Sequence, residues 1–258
     1  MLKFNTIRIL FAAAFCIAMV VHFMDGPVHW WVWMMMLVCL TAILAWGATD
    51  ISLSFFTPVL NKGVTRDKVV AISFDDGPAE AYTPEILDIL QQHQVPAAFF
   101  CIGYRAAENP ELLKRLHAEG HVIGNHSNSH HFWFDLFTPA KMLYDMRLAD
   151  AAIENAIGLQ PKLFRPPYGV TNPSLAKAIR QGGYTTVGWS IRSLDTVLKK
   201  EDELLRRVLY KVNPGDVFLF HDTCRITVQI LPELIKTLRD KGFSIVRIDK
   251  MLNIPAYA

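Results

Sequence analysis

The sequence predicts an α/β domain built on parallel strands, as a barrel or a doubly wound sheet, preceded by an N-terminal transmembrane helical hairpin. Three observations predict it. Two apolar runs without formal charge occupy residues 9–24 and 30–48. From residue 68, short β-branched or aromatic runs alternate with stretches of helical periodicity. Several of the short runs end in acidic, histidine or arginine residues, which is where parallel α/β folds build their sites.

Composition sets the outer limits. With 52% hydrophobic and 19% charged residues in a chain of 258, a disordered protein is excluded. A formal net charge of +2 gives no basis for nucleic acid as a partner, and no feature points to a protein partner. The cysteines at 16, 39, 101 and 224 make no CxxC pair, which argues against a zinc ribbon and a disulfide scaffold.

The hairpin comes first in the chain. The run WWVWMMMLVCLTAILAWGA at 30–48 spans about 28 Å as a helix, close to a bilayer core. Trp30, Trp31 and Trp33 lie at one end and Trp46 near the other, as interfacial aromatics do. Asp25-Gly26-Pro27 reads as the turn between the runs. Residues 1–49 are thus the membrane anchor, 50–67 a juxtamembrane linker, and 68–258 the soluble domain. With two spans, the lysines and arginines at 3, 8, 62, 66 and 68 all fall on one side, and the positive-inside rule places the domain in the cytoplasm. If the first run is instead the core of a signal peptide, with Lys3 and Arg8 as its basic region, the domain faces outward.

The soluble part follows in βα order. Expected strands are VVAISF (69–74), AAFFCI (97–102), HVIG (121–124), KLF (162–164), YTTVGWS (184–190), DVFLF (216–220) and FSIVRI (243–248). Expected helices cover 83–93, 109–119, 139–157, 172–181 and 230–240. The second is the best marked: Asn109 as cap, Pro110 in the first turn, Glu111 against the dipole and Gly120 at the end.

The polar residues fall at the strand ends. The first strand runs into Asp75-Asp76-Gly77-Pro78, and the third leads to His126 and His130. The fourth leads to Arg165-Pro166-Pro167-Tyr168-Gly169, the fifth towards Asp195, and the sixth into His221-Asp222. His126 and His130, four apart, would face one way on a helical turn, and a carboxylate from another strand would complete three metal ligands with a position left for water. Each piece alone has a plain reading as a turn or a surface histidine. Together, at consecutive strand ends, they read as a catalytic metal site. Phe132, Trp133, Phe134 and Phe137 read as core packing, with an exposed apolar lip meeting a ligand or membrane as the other reading.

At these residues the sequence resembles the polysaccharide deacetylases, the NodB-homology domain of carbohydrate esterase family 4, over roughly residues 68 to 250. The motif [TS]-F-D-D-G-P stands as Ser73-Phe74-Asp75-Asp76-Gly77-Pro78. H-[ST]-x-x-H stands as His126-Ser127-Asn128-Ser129-His130, and R-x-P-[YF]-G as Arg165-Pro166-Pro167-Tyr168-Gly169. Leu219-Phe220-His221 supplies the leucine two residues before a histidine. The D-x-x-D-W motif is altered: Arg192-Ser193-Leu194-Asp195-Thr196 keeps one aspartate and loses the tryptophan, which changes the groove wall.

The resemblance implies a distorted (β/α) barrel of about seven strands and a divalent metal, most often zinc. It implies that Asp76, His126 and His130 bind the metal, and that Asp75 takes a proton from the attacking water. His221 would protonate the departing amine, Arg165 orient Asp75, Asp195 pair with His221, and the backbone N–H of Tyr168 help hold the oxyanion. Leu219, Pro166 and Trp189 are candidate substrate contacts, although a tryptophan within a strand run more commonly belongs to the core. The expected activity is metal-dependent removal of N-acetyl groups from an amino sugar in peptidoglycan, a surface polysaccharide or a lipid-linked glycan. The alternatives are an O-acetyl esterase, as on xylan, and a catalytically silent glycan-binding domain. The expected location is integral to the cytoplasmic membrane; this substrate class favours an extracytoplasmic domain, against the charge rule.

Overall fold

The structure, a computed structural model, describes residues 3–258. Helices α1 (Phe4–Met24) and α2 (Trp30–Thr49) form a hairpin. Gly26, at φ +119°, makes the turn between them, a conformation L side chains rarely adopt. By length and composition both helices could cross a membrane, and with only 6% of each span buried neither is a core helix of the domain.

Eight short strands follow: β1 (Val69–Asp75), β2 (Ala98–Cys101), β3 (Val122–Asn125), β4 (Leu163–Phe164), β5 (Thr185–Thr186), β6 (Ile191–Arg192), β7 (Val217–His221) and β8 (Ser244–Ile245). Seven of them lie in the order β5-β4-β3-β2-β1-β7-β6, all paired in parallel, and β8 pairs with the start of β1. The result is a half-barrel whose edge strands, β5 and β6, are neighbours in the chain. The helices are α3 (Thr83–Gln92), α4 (Gly103–Glu108), α5 (Pro110–Ala118), α6 (Pro139–Ile157), α7 (Pro173–Gly182), α8 (Glu201–Leu209), α9 (Arg225–Asp240) and α10 (Ile248–Leu252).

Several elements differ from expectation. The strand expected over 184–190 pairs only at Thr185–Thr186, and β6 on the opposite edge begins just past the expected run, because the carbonyls between the two serve other donors. Val187 O and Gly188 O both accept from the Arg165 guanidinium. The run 243–248 pairs only at Ser244–Ile245, after which Arg247 engages Asp249 and the chain turns into α10. Helix α9 begins at Arg225, a turn before Ile230, and carries Pro232 within it. Asn109 does not cap α5; its amide donates back to the Arg105 carbonyl.

Residues 50–67 are built into the domain. Ile51, Phe55, Thr57 and Val59 are buried. Leu60 bridges to Val187 beside β5, and Lys62 bridges to Asp216 at the foot of β7, with a 2.9 Å ion pair. The strap thus connects the β5 edge to the foot of β7.

Strand alternation sorts the side chains. Val70, Ile72 and Phe74 of β1 join Phe99, Phe218 and Phe220 in the core under the helices. Ala71 joins the inner cluster with Ala98, Phe100 and Val122. The same alternation turns Ser73 and Asp75 inward. Small inner residues make room there: a Cβ on Gly124 would sit 2.6 Å from the Phe100 ring.

Candidate active site

Register brings the groups together. Asp75 and His221 are direct neighbours across the β1–β7 pair, both at strand C-termini. Two strands away, Asn125 at the end of β3 points outward, its amide donating to the Met146 carbonyl and to Asp150. The next side chain, His126, therefore points inward. Its backbone N–H donates to the Cys101 carbonyl, and the Arg165 N–H donates to the Asn125 carbonyl, extending both ladders into the site loops.

Asp76, His126 and His130 offer ligand atoms that all lie within 4.8 Å of one another. Asp76 Oδ1 is 3.4 Å from His126 Nε2 and 3.3 Å from His130 Nε2. The two histidines are not on a helical turn. The loop bends through left-handed Ser127 (φ +64°) and His130 (φ +42°). Asp145 accepts from the N–H groups of Asn128 and Ser129, and Ser127 Oγ accepts from His130 N–H. Asp76 is itself left-handed (φ +76°), which swings it away from Asp75.

The donor set fits a divalent cation. His126 Nδ1 lies 2.8 Å from the Arg165 carbonyl, which can only accept, so Nδ1 carries the hydrogen and Nε2 offers its lone pair. Burial opposes charge on Asp76, but the imidazoles of His126 and His130 hold its carboxyl well below the usual range, as an anion. Burial and the nearby His126 lower His130, favouring the neutral imidazole that ligates. Burial also works against charge on His126, but Asp75 and Asp76 outweigh it and raise its pKa, so cation binding there competes with a proton. Two imidazoles and one carboxylate are three protein ligands of the kind that hold a divalent cation.

On one side of this set stands Asp75. Arg165 is fully buried, and its guanidinium donates to Asp75 Oδ1 at 2.7 Å, to Ser73 Oγ at 2.8 Å and to the two carbonyls after β5. It also lies 3.9 Å from the centre of the Phe100 ring. That leaves Asp75 Oδ2 facing His126 Nε2 at 3.9 Å.

On the other side stands His221. Its Nδ1 is 2.7 Å from Asp195 Oδ1, and its backbone N–H donates to Asp195 Oδ2. Ser193 and Thr227 hydroxyls donate to the same carboxylate, which is buried. Burial works against charge on His221, yet Asp195 overrides it and pushes the imidazole up to about 9. Burial likewise opposes charge on Asp195, whose pKa is nevertheless lowered by His221 and Thr227.

The remaining expected residues divide. Tyr168 is left-handed (φ +59°) and half exposed, with its ring 4.7 Å from that of His130. Leu219 and Pro166 are buried at the floor. Trp189 is partly buried in the inner cluster and lies against Gly169 of the Tyr168 loop. Of the aromatics after the histidines, Phe134 is core as expected, with Phe137 packed on it, whereas Phe132 and Trp133 are exposed.

Supporting groups escaped the sequence reading. Asp145, Asp150 and Thr227 sit on helices with no motif to mark them, and Ser193 fills a variable position of the altered D-x-x-D-W motif. Asp222 was visible only as the neighbour of His221. It is buried, accepts from Thr83 Oγ1 at 2.6 Å, and stands where a Cβ on Gly77 would be 1.9 Å away. Burial pushes its carboxyl up to about 7.

Known proteins are similar to this chain in sequence and fold. The polysaccharide deacetylase family profile matches residues 62–187. A peptidoglycan-N-acetylglucosamine deacetylase of Bacillus cereus is 34% identical over 202 residues, covering 72% of this chain and 89% of that one. A chitooligosaccharide deacetylase of Bradyrhizobium is 35% identical over 199 residues, 70% of this chain and 90% of that one. The crystal structure of the Bc1960 peptidoglycan N-acetylglucosamine deacetylase superposes with a TM-score of 0.74 at 31% identity, over 78% of this chain and 95% of that one. Fold, strand-end residues and relatives agree: this chain belongs to the polysaccharide deacetylase family, the metal-dependent deacetylases of carbohydrate esterase family 4.

Proposed function

We propose that the protein is a membrane-tethered, zinc-dependent N-deacetylase acting on the acetamido group of an amino sugar in a cell-wall-type glycan. The observation that carries this reading is the placing of two differently partnered groups around one candidate cation site: Asp75 on Arg165, and His221 on Asp195. The relatives named for peptidoglycan and chitooligosaccharide act on sugars that share the acetamido group.

Asp76, His126 and His130 would hold the cation, which would supply Lewis acidity for the acetyl carbonyl and a lowered pKa for a water. Asp75 Oδ2, the oxygen not occupied by Arg165, is placed to take the proton from the attacking water as it adds to the carbonyl carbon. The tetrahedral intermediate then breaks its C–N bond. An amine leaves poorly unless protonated, and His221, charged through Asp195, donates the proton to nitrogen. Acetate and a free amino sugar result. The backbone N–H of Tyr168 serves the oxyanion; one such donor typically contributes ~2.7–4 kcal/mol. Leu219, Pro166 and Trp189 shape the acetyl and sugar subsites.

The anchor covers 1–49 and the catalytic domain 68–258, with 50–67 as a strap between them. The exposure of the hairpin and its apolar length support the tether. Asp75→Asn tests the reading. It should retain metal, because Asp76 and both histidines remain, and lose two orders of magnitude or more in amine release from an N-acetylated oligosaccharide. Normal turnover by Asp75→Asn, or release of acetate without amine, would sink it.

A further inference from the structure

We propose that Phe132, Trp133 and Leu136 form a lip that inserts into the bilayer interface beside the hairpin, so that the cleft takes its amino sugar from a glycan attached to a lipid. This rests on reading α1 and α2 as membrane spans and the site as an N-deacetylase.

The three side chains are 68%, 55% and 70% exposed, although Phe134 between them is buried. Packing therefore accounts for one residue of this apolar loop and leaves the others in solvent, a pattern that marks an interaction surface. The lip also borders the site. The Phe132 ring is 6.4 Å from that of Tyr168, which in turn lies against His130.

Its position relative to the hairpin is set by two consecutive residues. Thr171 N–H donates to the Ala48 carbonyl, in the last turn of α2. The Asn172 side-chain amide donates to the Asp135 carbonyl, inside the lip loop. The end of the candidate span and the lip thus hang from adjacent peptide units. The other helix is fastened as well: Phe4 N–H donates to the Phe55 carbonyl, and the Phe4 ring meets those of Phe55 and Phe56 at 6.1 and 5.0 Å. The domain is held against its anchor, at a fixed height.

Charge agrees with a lipid surface at that height. A cavity of about 510 Å³ between hairpin and domain is lined by Lys3, Arg8 and Arg180, with no acidic residue in its lining among the described residues. Cations there complement anionic headgroups, and aromatic side chains partition to the same zone. A cleft opening beside such a lip favours a substrate presented at the bilayer over one that diffuses in solution.

The test uses the full chain in phosphatidylethanolamine/phosphatidylglycerol vesicles containing acyl-brominated lipid. Two forms are compared, one keeping only Trp133 and the other only Trp46, with the remaining tryptophans changed to phenylalanine. Bromine quenching of both is the expected result. Quenching of Trp46 without Trp133 overturns the lip; quenching of neither overturns the anchor reading on which it rests. A second arm compares Phe132→Ser/Trp133→Ser/Leu136→Ser with the unaltered chain. The substrates are an N-acetylated sugar on a polyprenyl diphosphate and a soluble chitooligosaccharide. The expected loss in kcat/KM is at least tenfold on the lipid-borne sugar and less than twofold on the soluble one. Equal losses would make the lip a glycan platform and overturn the membrane role. An unaltered chain inactive on both would instead overturn the deacetylase reading.

Discussion

Asp195→Asn removes the charge that keeps His221 protonated while leaving a side chain of the same shape. In the folded protein burial works against the imidazolium, and Asp195 reverses this, raising the group from 6.5 to about 9. At pH 7.5 a group at about 9 is ~97% protonated, whereas at about 6.5 it is ~10% protonated. The acid form thus falls roughly tenfold in Asp195→Asn, and the alkaline limb of the kcat/KM profile moves down by about 2 pH units or more. A divalent cation at Asp76 lowers the limb in both proteins and leaves the displacement between them. The stability sign follows from the same shift. A histidine raised by its partner stabilises the fold fully below its unfolded pKa, and that contribution is lost as pH rises through about 9. The raised pKa corresponds to about 3 kcal/mol, an order-of-magnitude figure for a side chain only 17% exposed. The assay is amine release from an N-acetylated oligosaccharide between pH 5 and pH 10 at saturating metal. Superposable limbs for the two proteins would refute Asp195 as the group that holds His221 charged.

Arg165→Met leaves Asp75 unpaired in the interior, and breaking a buried pair of this kind costs about 3–5 kcal/mol, read from urea unfolding. Adding Asp75→Asn should return much of that stability without returning activity, which separates the charge effect from the lost packing on Phe100. Asp222 is a carboxyl raised to about 7, so its stabilising form is the protonated one. That contribution is full below the unfolded value of 3.8 and declines as pH rises through about 7. Asp222→Asn should therefore gain about 2–3 kcal/mol on the unaltered protein between pH 5 and pH 8, by denaturant titration at the two pH values.

The sequence carried most of the site because motif residues sit where strands end. Asp75, Asp76, His126, Arg165, Asp195 and His221 are each one step from a strand or the turn after it, and parallel register brings those steps together. It carried the geometry between them less well. Four-residue spacing suggested a helical turn for His126 and His130, but left-handed Ser127 and the Asp145 carboxylate hold them in a bent loop. Backbone groups decided other points. The early end of the 184–190 strand at Thr186 depends on Arg165 claiming Val187 O and Gly188 O, a contact between residues 22 and 23 apart that no local pattern reports. The strap at 50–67 looked like a linker because Pro58 and Gly63 interrupt helix. Its pairing with Val187 and Asp216 is long-range and silent in composition. Supporting carboxylates such as Asp145 and Asp150 are invisible for the same reason: they lie on the helix that packs beneath β3, and only the fold turns Asp145 to the loop and Asp150 to Asn125.

Metal content and activity measured together on the full chain test the centre of this account. Purified protein should carry one divalent ion per chain, and chelation should abolish amine release until zinc is restored. His126→Ala and His130→Ala should each lose ion and activity together while staying folded. A chelated protein that still releases amine at its full rate, or a His126→Ala chain that keeps both ion and turnover, would contradict it.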